Sequence, residues 1–504
     1  MKKIPILLIA LSAMILLHSQ IVHANGAASQ SGNKTENNSH TEDQVKTETH
    51  TSQESDHAAP HIDAKNLSLL WIIPFIGILL SIALFPLLMP HFWHHHYGKV
   101  SLFWWMIFFG AFCIKFGLAT GTYYLFEVYM LEFIPFIILL LSLFTVAGGI
   151  QLKGDLAGTP KTNTIMLFIG GVLASLMGTT GAAMLMIRPI LKANEWRKNR
   201  AHIVVFVIFV VANAGGGLTP LGDPPLFLGF LKGVDFFWTL KHMLPLVSFT
   251  IAILLVIFFI MDTYYYTREK NKPVKKTSGE KLKLIGVPNM LLIPCIVGAV
   301  IVSSIDIGTA FTLHFVNVPA SSIIQVTLLL LITVISLKVS NTSIREDNGF
   351  SWEPIKEVAK LFATIFMTMV TPIAMLKAGA HGPMGMVIKG VIDSSGHFMN
   401  SNFFWSAGIL SSFLDNAPTY LVFFNTAGGN AYILMNHFPG TLLAISAGAV
   451  FMGANTYIGN APNFMTKSIA EEAGVAMPSF FGYMFKYSIP ILIPVFILVT
   501  YIFF

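Results

Sequence analysis

Apolar runs of about twenty residues recur along most of this chain and constrain its fold more than any other feature. The hydrocarbon core of a bilayer is about 30 Å thick, and an α-helix of about 20 residues crosses it. Hydrophobic residues make up 54% of the sequence and charged residues only 11%, whereas soluble domains are roughly one quarter charged. The sequence therefore predicts an all-α polytopic membrane protein. Its net charge of +6 is assigned to loops that set orientation, and no nucleic-acid partner is expected.

The apolar runs predict about ten transmembrane spans and two interrupted hairpins. The spans lie at about 67–89, 101–118, 128–150, 202–232, 241–262, 286–305, 320–338, 357–377, 441–468 and 484–504. Two further stretches, 163–191 and 402–426, are interrupted near the middle by "GTTG" (178–181) and "DNAP" (415–418). Non-helical backbone at membrane depth must be buried in protein or line a cavity. We therefore interpret both stretches as re-entrant helix–turn–helix hairpins.

Three segments are expected outside the bilayer. Residues 1–24 have two lysines, an apolar stretch and small residues near the end, a pattern typical of a signal peptide, with an uncleaved first helix as the alternative. Residues 25–65 are polar and contain scattered His and acidic residues, so a disordered tail is expected. Residues 263–285 form a basic linker, which the positive-inside rule assigns to the cytoplasm. The expected location is the inner (plasma) membrane, and the same rule predicts that the N-terminal tail lies outside.

Two pairs of motifs recur at one offset. "GVLASLMGTTGAAML" (171–185) aligns without gaps on "GILSSFLDNAPTYLV" (408–422), and "GGLTPLGDPPLFL" (216–228) aligns on "GANTYIGNAPNFM" (453–465), both at 237 residues. The shared offset predicts repeats over 67–262 and 286–504, and counting spans makes the two hairpins enter from opposite faces. Inverted repeats with broken helices are the architecture of secondary transporters, whose sites lie near the midplane where the breaks meet.

Two carboxylates, Asp223 and Asp415, lie beside these breaks. A carboxylate at the bilayer centre is costly and therefore a functional candidate, able to exchange protons and to bind a cation. The alternative is that either residue caps a half-helix. We leave both interpretations open for Asp223 and favour ligation for Asp415, with Asp415 and Asn416 as candidate Na⁺ ligands. Neutral side chains expected at the same depth are Asn416, Thr419, Thr219, Asn460, Thr456, Asn455, Thr179 and Thr180.

These motifs resemble the ion transporter superfamily of secondary carriers over residues 67–504. "TPLGDPP" (219–225) and "LDNAPT" (414–419) are similar to elements of the NhaD-type sodium/proton antiporters. The first hairpin departs from that pattern, because its tip reads "MGTTGAAML" where NhaD-type chains have an acidic Asp-Asn tip. Chains with this tip are similar to a branch labelled citrate transport. The resemblance implies transported Na⁺ and H⁺, no resident cofactor, and homodimers.

Two functions remain after the motifs are weighed. The first is a sodium (or lithium)/proton antiporter that works by alternating access, with protonatable intramembrane Asp residues. The second is a sodium- or metal-coupled transporter of citrate or another carboxylate, which would need midplane Arg or Lys residues or several convergent helix N-termini. The absence of a deep Arg favours the antiporter. An intramembrane enzyme is disfavoured because neither H-E-x-x-H nor G-x-S-x-G occurs.

Overall fold

The computed structural model describes residue 60 and residues 62–154, 156–269 and 283–504. The predicted signal peptide, most of the predicted tail and residues 270–282 of the predicted linker lie outside the described residues. Close to the end of the predicted tail, Ile62 is buried, and the Asp63 carboxylate caps the 3-10 helix Ala64–Asn66 by accepting a hydrogen bond from the Lys65 amide. The last residues of the predicted tail therefore belong to a capped, packed turn.

The described chain is mostly helical. Its α-helices are Ile73–Leu88 (α1), Pro90–Phe116 (α2), Leu118–Val128 (α3), Ile134–Gly148 (α4), Pro160–Met177 (α5), Thr179–Ala193 (α6), Ala201–Phe206 (α7), Pro224–Leu231 (α8), Phe236–Arg268 (α9), Val287–Val302 (α10), Ala320–Val339 (α11), Thr342–Asp347 (α12), Glu353–Thr368 (α13), Val370–Lys377 (α14), Gly385–Lys389 (α15), Asn400–Phe413 (α16), Asn416–Thr426 (α17), Ala431–Asn436 (α18), Pro439–Met452 (α19), Ala461–Glu472 (α20), Phe480–Tyr483 (α21) and Ile489–Phe503 (α22). Two antiparallel ladders join Gln151–Lys153 (β1) to Lys283–Ile285 (β2), and Thr309–Leu313 (β3) to Val316–Pro319 (β4).

Eight helical runs among the described residues are long and apolar enough to cross a bilayer. They are Leu69–Leu88, Pro90–Phe116, Leu118–Gly148, Ala201–Leu218, Phe236–Arg268, Ala320–Val339, Glu353–Lys377 and Phe480–Phe503. Two shorter apolar helices, Val287–Val302 and Pro439–Asn455, account for the other two predicted spans. Large apolar side chains on the surface, such as Ile114 and Tyr501, fit contact with hydrocarbon. The chain is a multi-pass membrane protein.

Two predicted spans start earlier than expected. The span predicted at 101–118 begins at Pro90, so the His-rich segment at its start is helical. The span predicted at 128–150 begins at Leu118, because α3, a π-helical turn at Tyr129–Phe133 and α4 form one run. Gly117 separates these two runs, and its φ of 87° is a conformation that glycine adopts without strain.

Both interrupted stretches fold as helical hairpins, as predicted. In the first, α5 and α6 meet at Gly178, whose φ of 83° lies in the left-handed region. In the second, α16 and α17 meet at Leu414 and Asp415, whose φ values are −119° and −56°. The two tips therefore turn differently, and only the first requires glycine.

The two broken crossings repeat the same hydrogen bonds at the 237-residue offset. The Thr219 hydroxyl donates to the Ser175 carbonyl oxygen at 2.5 Å, and the Thr456 hydroxyl donates to the Ser412 carbonyl oxygen at 2.5 Å. The hydroxyls of the same two serines donate to carbonyls of the adjoining crossings. Each half thus ties the first arm of its hairpin to its own break in the same way. The opposite orientation of the halves in the membrane stays a prediction.

The second arms of the hairpins pack across the repeat. In the first half, α5 packs on the 3-10 turn Ala214–Leu218, and in the second half α16 packs on α19. Each second arm instead packs on the other half: α6 packs on α20 of the second half, and α17 packs on α8 of the first half. This exchange brings both hairpin tips and both breaks to one place in the interior.

Candidate functional site

Asp223 lies in the break of the first crossing, immediately before α8, and is 1% exposed. It occupies the N-cap position of α8 but makes no capping hydrogen bond. The reason is local: a cap accepts from the second or third amide of the helix, Pro224 and Pro225 leave the first two positions without an N–H, and the third amide, that of Leu226, donates to the main-chain carbonyl oxygen of Asp223 at 3.1 Å. The carboxylate is consequently available to other elements of the structure.

Three side chains from three other elements donate hydrogen bonds to this carboxylate. Thr179, at the tip of the first hairpin, donates from Oγ1 to Asp223 Oδ1 at 3.3 Å. Asn460, in the break of the second crossing, donates from Nδ2 to the same oxygen at 3.3 Å. Asn416, at the tip of the second hairpin, donates from Nδ2 to Asp223 Oδ2 at 2.7 Å. One carboxylate therefore contacts both tips and the opposite break, and all three donors are neutral.

Two asparagines that the sequence analysis did not single out complete the cluster. Asn213 and Asn463 are both fully buried, and Asn213 Nδ2 donates to Asn463 Oδ1 at 2.7 Å. Asn463 Nδ2 donates in turn to two carbonyl oxygens of the second break, at 2.8 and 2.9 Å. Asn460 Nδ2 also reaches the carbonyl oxygen of Ala212 at 3.1 Å. These amides join the two breaks directly. The available signal was their position at the ends of the Gly- and Pro-rich stretches 213–226 and 455–463.

Asp415 has the geometry of the capping alternative. It is half-buried, and its Oδ1 accepts a hydrogen bond from the Ala417 amide at 3.0 Å, which caps α17. The matching residue of the first hairpin is Gly178, whose left-handed backbone disfavours an aspartate. The lack of an acid at that tip therefore has a conformational reason. Asp415 stays a predicted cation ligand through its other carboxylate oxygen, while Asp223, rather than Asp415, holds the centre of the cluster.

Two amide oxygens in this region lack hydrogen-bond partners among the described residues. Asn416 uses its amide nitrogen on Asp223, and Asn455 uses its amide nitrogen on the Ser412 hydroxyl at 2.9 Å, which leaves Oδ1 of each buried and unpaired. A buried polar atom without a partner needs an explanation. Amide and carboxylate oxygens are ligands for hard cations, so the unpaired Asn416 Oδ1, on a side chain that also contacts Asp223, has the chemistry of a candidate cation ligand.

The other predicted ligands are engaged elsewhere. The hydroxyls of Thr219 and Thr456 hold the hairpin arms, as described above. Thr419 donates to the carbonyl oxygen of Asp415 at 2.9 Å, a bond within the first turn of α17. Thr180 is partly buried and takes part in none of the hydrogen bonds of the cluster. Three predicted residues, Thr179, Asn416 and Asn460, thus donate to the Asp223 carboxylate, and Asp415 directly precedes one of them. The hydroxyls of Thr219, Thr419 and Thr456 donate to main-chain carbonyl oxygens instead.

No lysine or arginine contacts Asp223 in the part of the chain that the structure describes. The two buried arginines have other partners. Arg197 forms a buried ion pair with Asp262, which also accepts a hydrogen bond from His202 Nε2 at 2.8 Å. Arg345 donates to the carbonyl oxygen of Thr145 at 2.8 Å. The surroundings of Asp223 are polar but contain no fixed positive charge.

Broken crossings joined through a buried carboxylate that both hairpin tips contact are the features of a secondary carrier. Residues 64–504 match the family model described as "Putative citrate transport", and the chain belongs to that family. A search of curated proteins finds no match. The family match confirms the resemblance to the citrate transport branch and does not confirm the one to the NhaD-type antiporters. By family, the protein is a transporter.

Proposed function

We propose that this protein transports citrate or a related carboxylate across the membrane by alternating access, coupled to a cation that binds beside Asp223. The family description supports the substrate class. The observation that carries the coupling is the contact of one buried carboxylate with Thr179 and Asn416, one at each hairpin tip.

Charge is the main physical difficulty of this proposal, and the cation resolves it. Citrate is a multiply charged anion, and the cluster supplies no fixed cation to receive it. Helix N-termini provide partial positive charge, and α6 and α17 both begin at the cluster. A bound cation would offset the charge of Asp223 and of the substrate together. A bound cation is therefore expected to raise the affinity for the substrate, and a bound substrate to raise the affinity for the cation.

The contacts of Asp223 also suggest how the coupling works. Hydrogen bonds to a charged acceptor are roughly twice as strong as bonds between neutral groups. Protonation of Asp223, or its use by a cation, would weaken its bonds to Thr179 and Asn416 at the same time. The tips of both hairpins would then be free to change their packing on α20 and α8. A proton or a cation on Asp223 thereby shifts the equilibrium between the states in which the site is open to one face of the membrane or to the other.

Sodium/proton antiport is the second candidate, because the cluster is acidic. Asp415 directly precedes Asn416, which contacts Asp223, and a proton and a cation would compete for the two carboxylates. In this reading the carboxylate substrate plays no part. The two candidates differ in whether ion movement requires citrate.

Reconstituted protein separates them. Uptake of radiolabelled citrate into proteoliposomes is measured under imposed gradients of Na⁺, Mg²⁺ or protons, and a pH-sensitive dye reports proton movement when Na⁺ or Li⁺ is added without any carboxylate. Citrate uptake that depends on a cation gradient supports the first candidate. Proton movement with Na⁺ or Li⁺ alone, and no citrate uptake, would replace it with the second. Asp393→Asn is the matched control, since Asp393 is exposed, lies outside the spans and bonds only to its own loop.

We also propose the inner membrane as the location, with the basic loop 192–200 in the cytoplasm. Single cysteines at Lys198 and Asp235, in a variant without Cys113 and Cys295, test the orientation. A membrane-impermeant thiol reagent should label intact cells at position 235 but not at 198. The reverse labelling would invert the topology.

A further inference from the structure

An apolar groove of about 470 Å³ runs beside the first hairpin. It lies between α5, α6, α10 and the β1–β2 ladder, and Thr162 is the one polar residue in its lining. Along α5 it extends from Thr162 to Met177 at the tip, about 22 Å at the helical rise per residue. One leaflet of hydrocarbon is about 15 Å thick, so the groove is long enough for most of an acyl chain.

The groove opens towards the hydrocarbon. Ile165 and Ile169, which line it from α5, are 47% and 46% exposed, and Leu284 of β2 is 41% exposed. In a bilayer these side chains contact lipid. The groove is therefore filled from the membrane rather than from water.

The end of the groove near the start of α5 is basic. In the β1–β2 ladder Leu152 faces Leu284 and Lys153 faces Lys283. Side chains alternate between the two faces of a ladder, so the leucines line the groove and the lysines lie on the other face, where their long, exposed side chains can reach a headgroup at the end of the groove. Lys161, in the first turn of α5 beside Thr162, is also exposed.

This arrangement favours an anionic group at the same end. Like charges directly opposite each other destabilise a ladder, and Lys153 opposite Lys283 is such a pair. Lys153 lies 3.7 Å from Asp347, but both side chains are at least half exposed, and exposed ion pairs contribute little. Among the described residues, only one carboxylate, that of Asp347, forms an ion pair with any of these three exposed lysines.

We propose that this groove binds one anionic phospholipid, with an acyl chain along α5 and the headgroup near Lys153, Lys161 and Lys283. Basic pockets beside transmembrane helices recognise anionic headgroups by the same charge pattern. The lipid contacts the first hairpin on one side and α10 on the other. Its binding therefore stabilises the packing of the hairpin described above.

Native mass spectrometry and thermal unfolding of the full-length protein test the proposal. Phosphatidylglycerol should be retained and should raise the melting temperature, while phosphatidylcholine with the same chains should do neither. Each lysine near an anionic headgroup contributes about a five-fold effect on affinity, so replacing Lys153, Lys161 and Lys283 with Gln should weaken phosphatidylglycerol binding roughly 100-fold. The matched control replaces Lys99, Lys198 and Lys338, which are also exposed.

A second variant separates headgroup binding from occupation of the groove. Ile169→Trp fills the groove and should abolish lipid retention with all lysines intact, whereas Ile260→Trp, on the exposed face of α9, should not. Equal retention of both lipids by the native chain would overturn the proposal, as would an unchanged preference in the lysine variant or retention by Ile169→Trp. A melting shift produced by inorganic phosphate alone would also overturn it, because the groove would then have no part in binding.

Discussion

Replacing Asp223 with Asn is the perturbation whose outcome the structure specifies most closely. The carboxylate accepts two bonds on Oδ1, from Thr179 and Asn460, and one on Oδ2, from Asn416. An asparagine keeps one acceptor oxygen, so it can satisfy the first two donors. Its new NH₂ group then points at Asn416, whose own Oδ1 has no partner and can accept after the amide flips.

The expected cost to stability is therefore small. The bond with Asn416 changes from one to a charged acceptor, worth about 1.5–3 kcal/mol, to one between neutral groups, worth about 0.5–1.5 kcal/mol, and removal of a buried charge without a counter-cation offsets part of that cost. The unfolding free energy should change by no more than about 2 kcal/mol.

Transport should fall about 100-fold or more, because the variant can neither exchange a proton nor hold a cation by charge. A factor of 100 equals about 2.7 kcal/mol, within the range of one such bond.

The assay is citrate uptake by proteoliposomes, with thermal unfolding measured on the same preparations. Asp393→Asn should match the native chain in both measurements. Asp415→Asn should keep the melting temperature, since Asn caps a helix as well as Asp does. An Asp223→Asn variant that retains cation-dependent uptake within a few-fold of the native rate would refute the reasoning. Equal loss of uptake in Asp393→Asn would show that the assay does not isolate the site.

Three further substitutions test the framework around the site, each by thermal unfolding in detergent. Thr456→Val removes the hydroxyl that donates to the Ser412 carbonyl oxygen and accepts from the amides of Ile458 and Gly459, at a cost of about 1–3 kcal/mol; Thr456→Ser should restore these bonds, and an unchanged melting temperature in Thr456→Val would contradict the role of the hydroxyl. Gly222→Ala places a methyl group against a carbonyl oxygen of the same break and should lower the melting temperature, whereas Gly110→Ala, with open space at that position, should not. Asp262→Asn leaves Arg197 buried without a counter-charge, which should lower the unfolding free energy by about 3–5 kcal/mol. An unfolding free energy close to that of the native chain would mean that the ion pair is not buried inside the protein.

The sequence predicts the fold well because hydrophobic length and a repeated offset determine it. Both hairpins, the eight long apolar helices and the two shorter ones follow from apolar runs and their interruptions, and the shared 237-residue offset is repeated in the bonds of Thr219 and Thr456. Helix starts were less predictable. Pro90 can begin a helix although the residues after it are polar and aromatic.

The roles of the two acids could not be assigned from composition alone. Whether an aspartate caps or ligates depends on which amides follow it and on what packs against it. Two prolines after Asp223 remove the nearest capping donors, and this signal was present in the sequence. The free Ala417 amide after Asp415 allows the cap. The contact of Asn416 with Asp223 joins residues 193 positions apart, and only the packing of α17 on α8 reveals it.

The most direct test of the account is the thermodynamic coupling between citrate and its cation. Citrate affinity is measured by equilibrium binding to the purified protein, with and without Na⁺ or Mg²⁺, for the native chain and for Asp223→Asn. Coupling between two sites is reciprocal and typically amounts to about 5- to 150-fold in affinity. One of these cations should tighten citrate binding by about tenfold or more in the native chain and should have no effect in Asp223→Asn. Citrate affinity that does not depend on the cation in the native chain, or the same dependence in the variant, would contradict it.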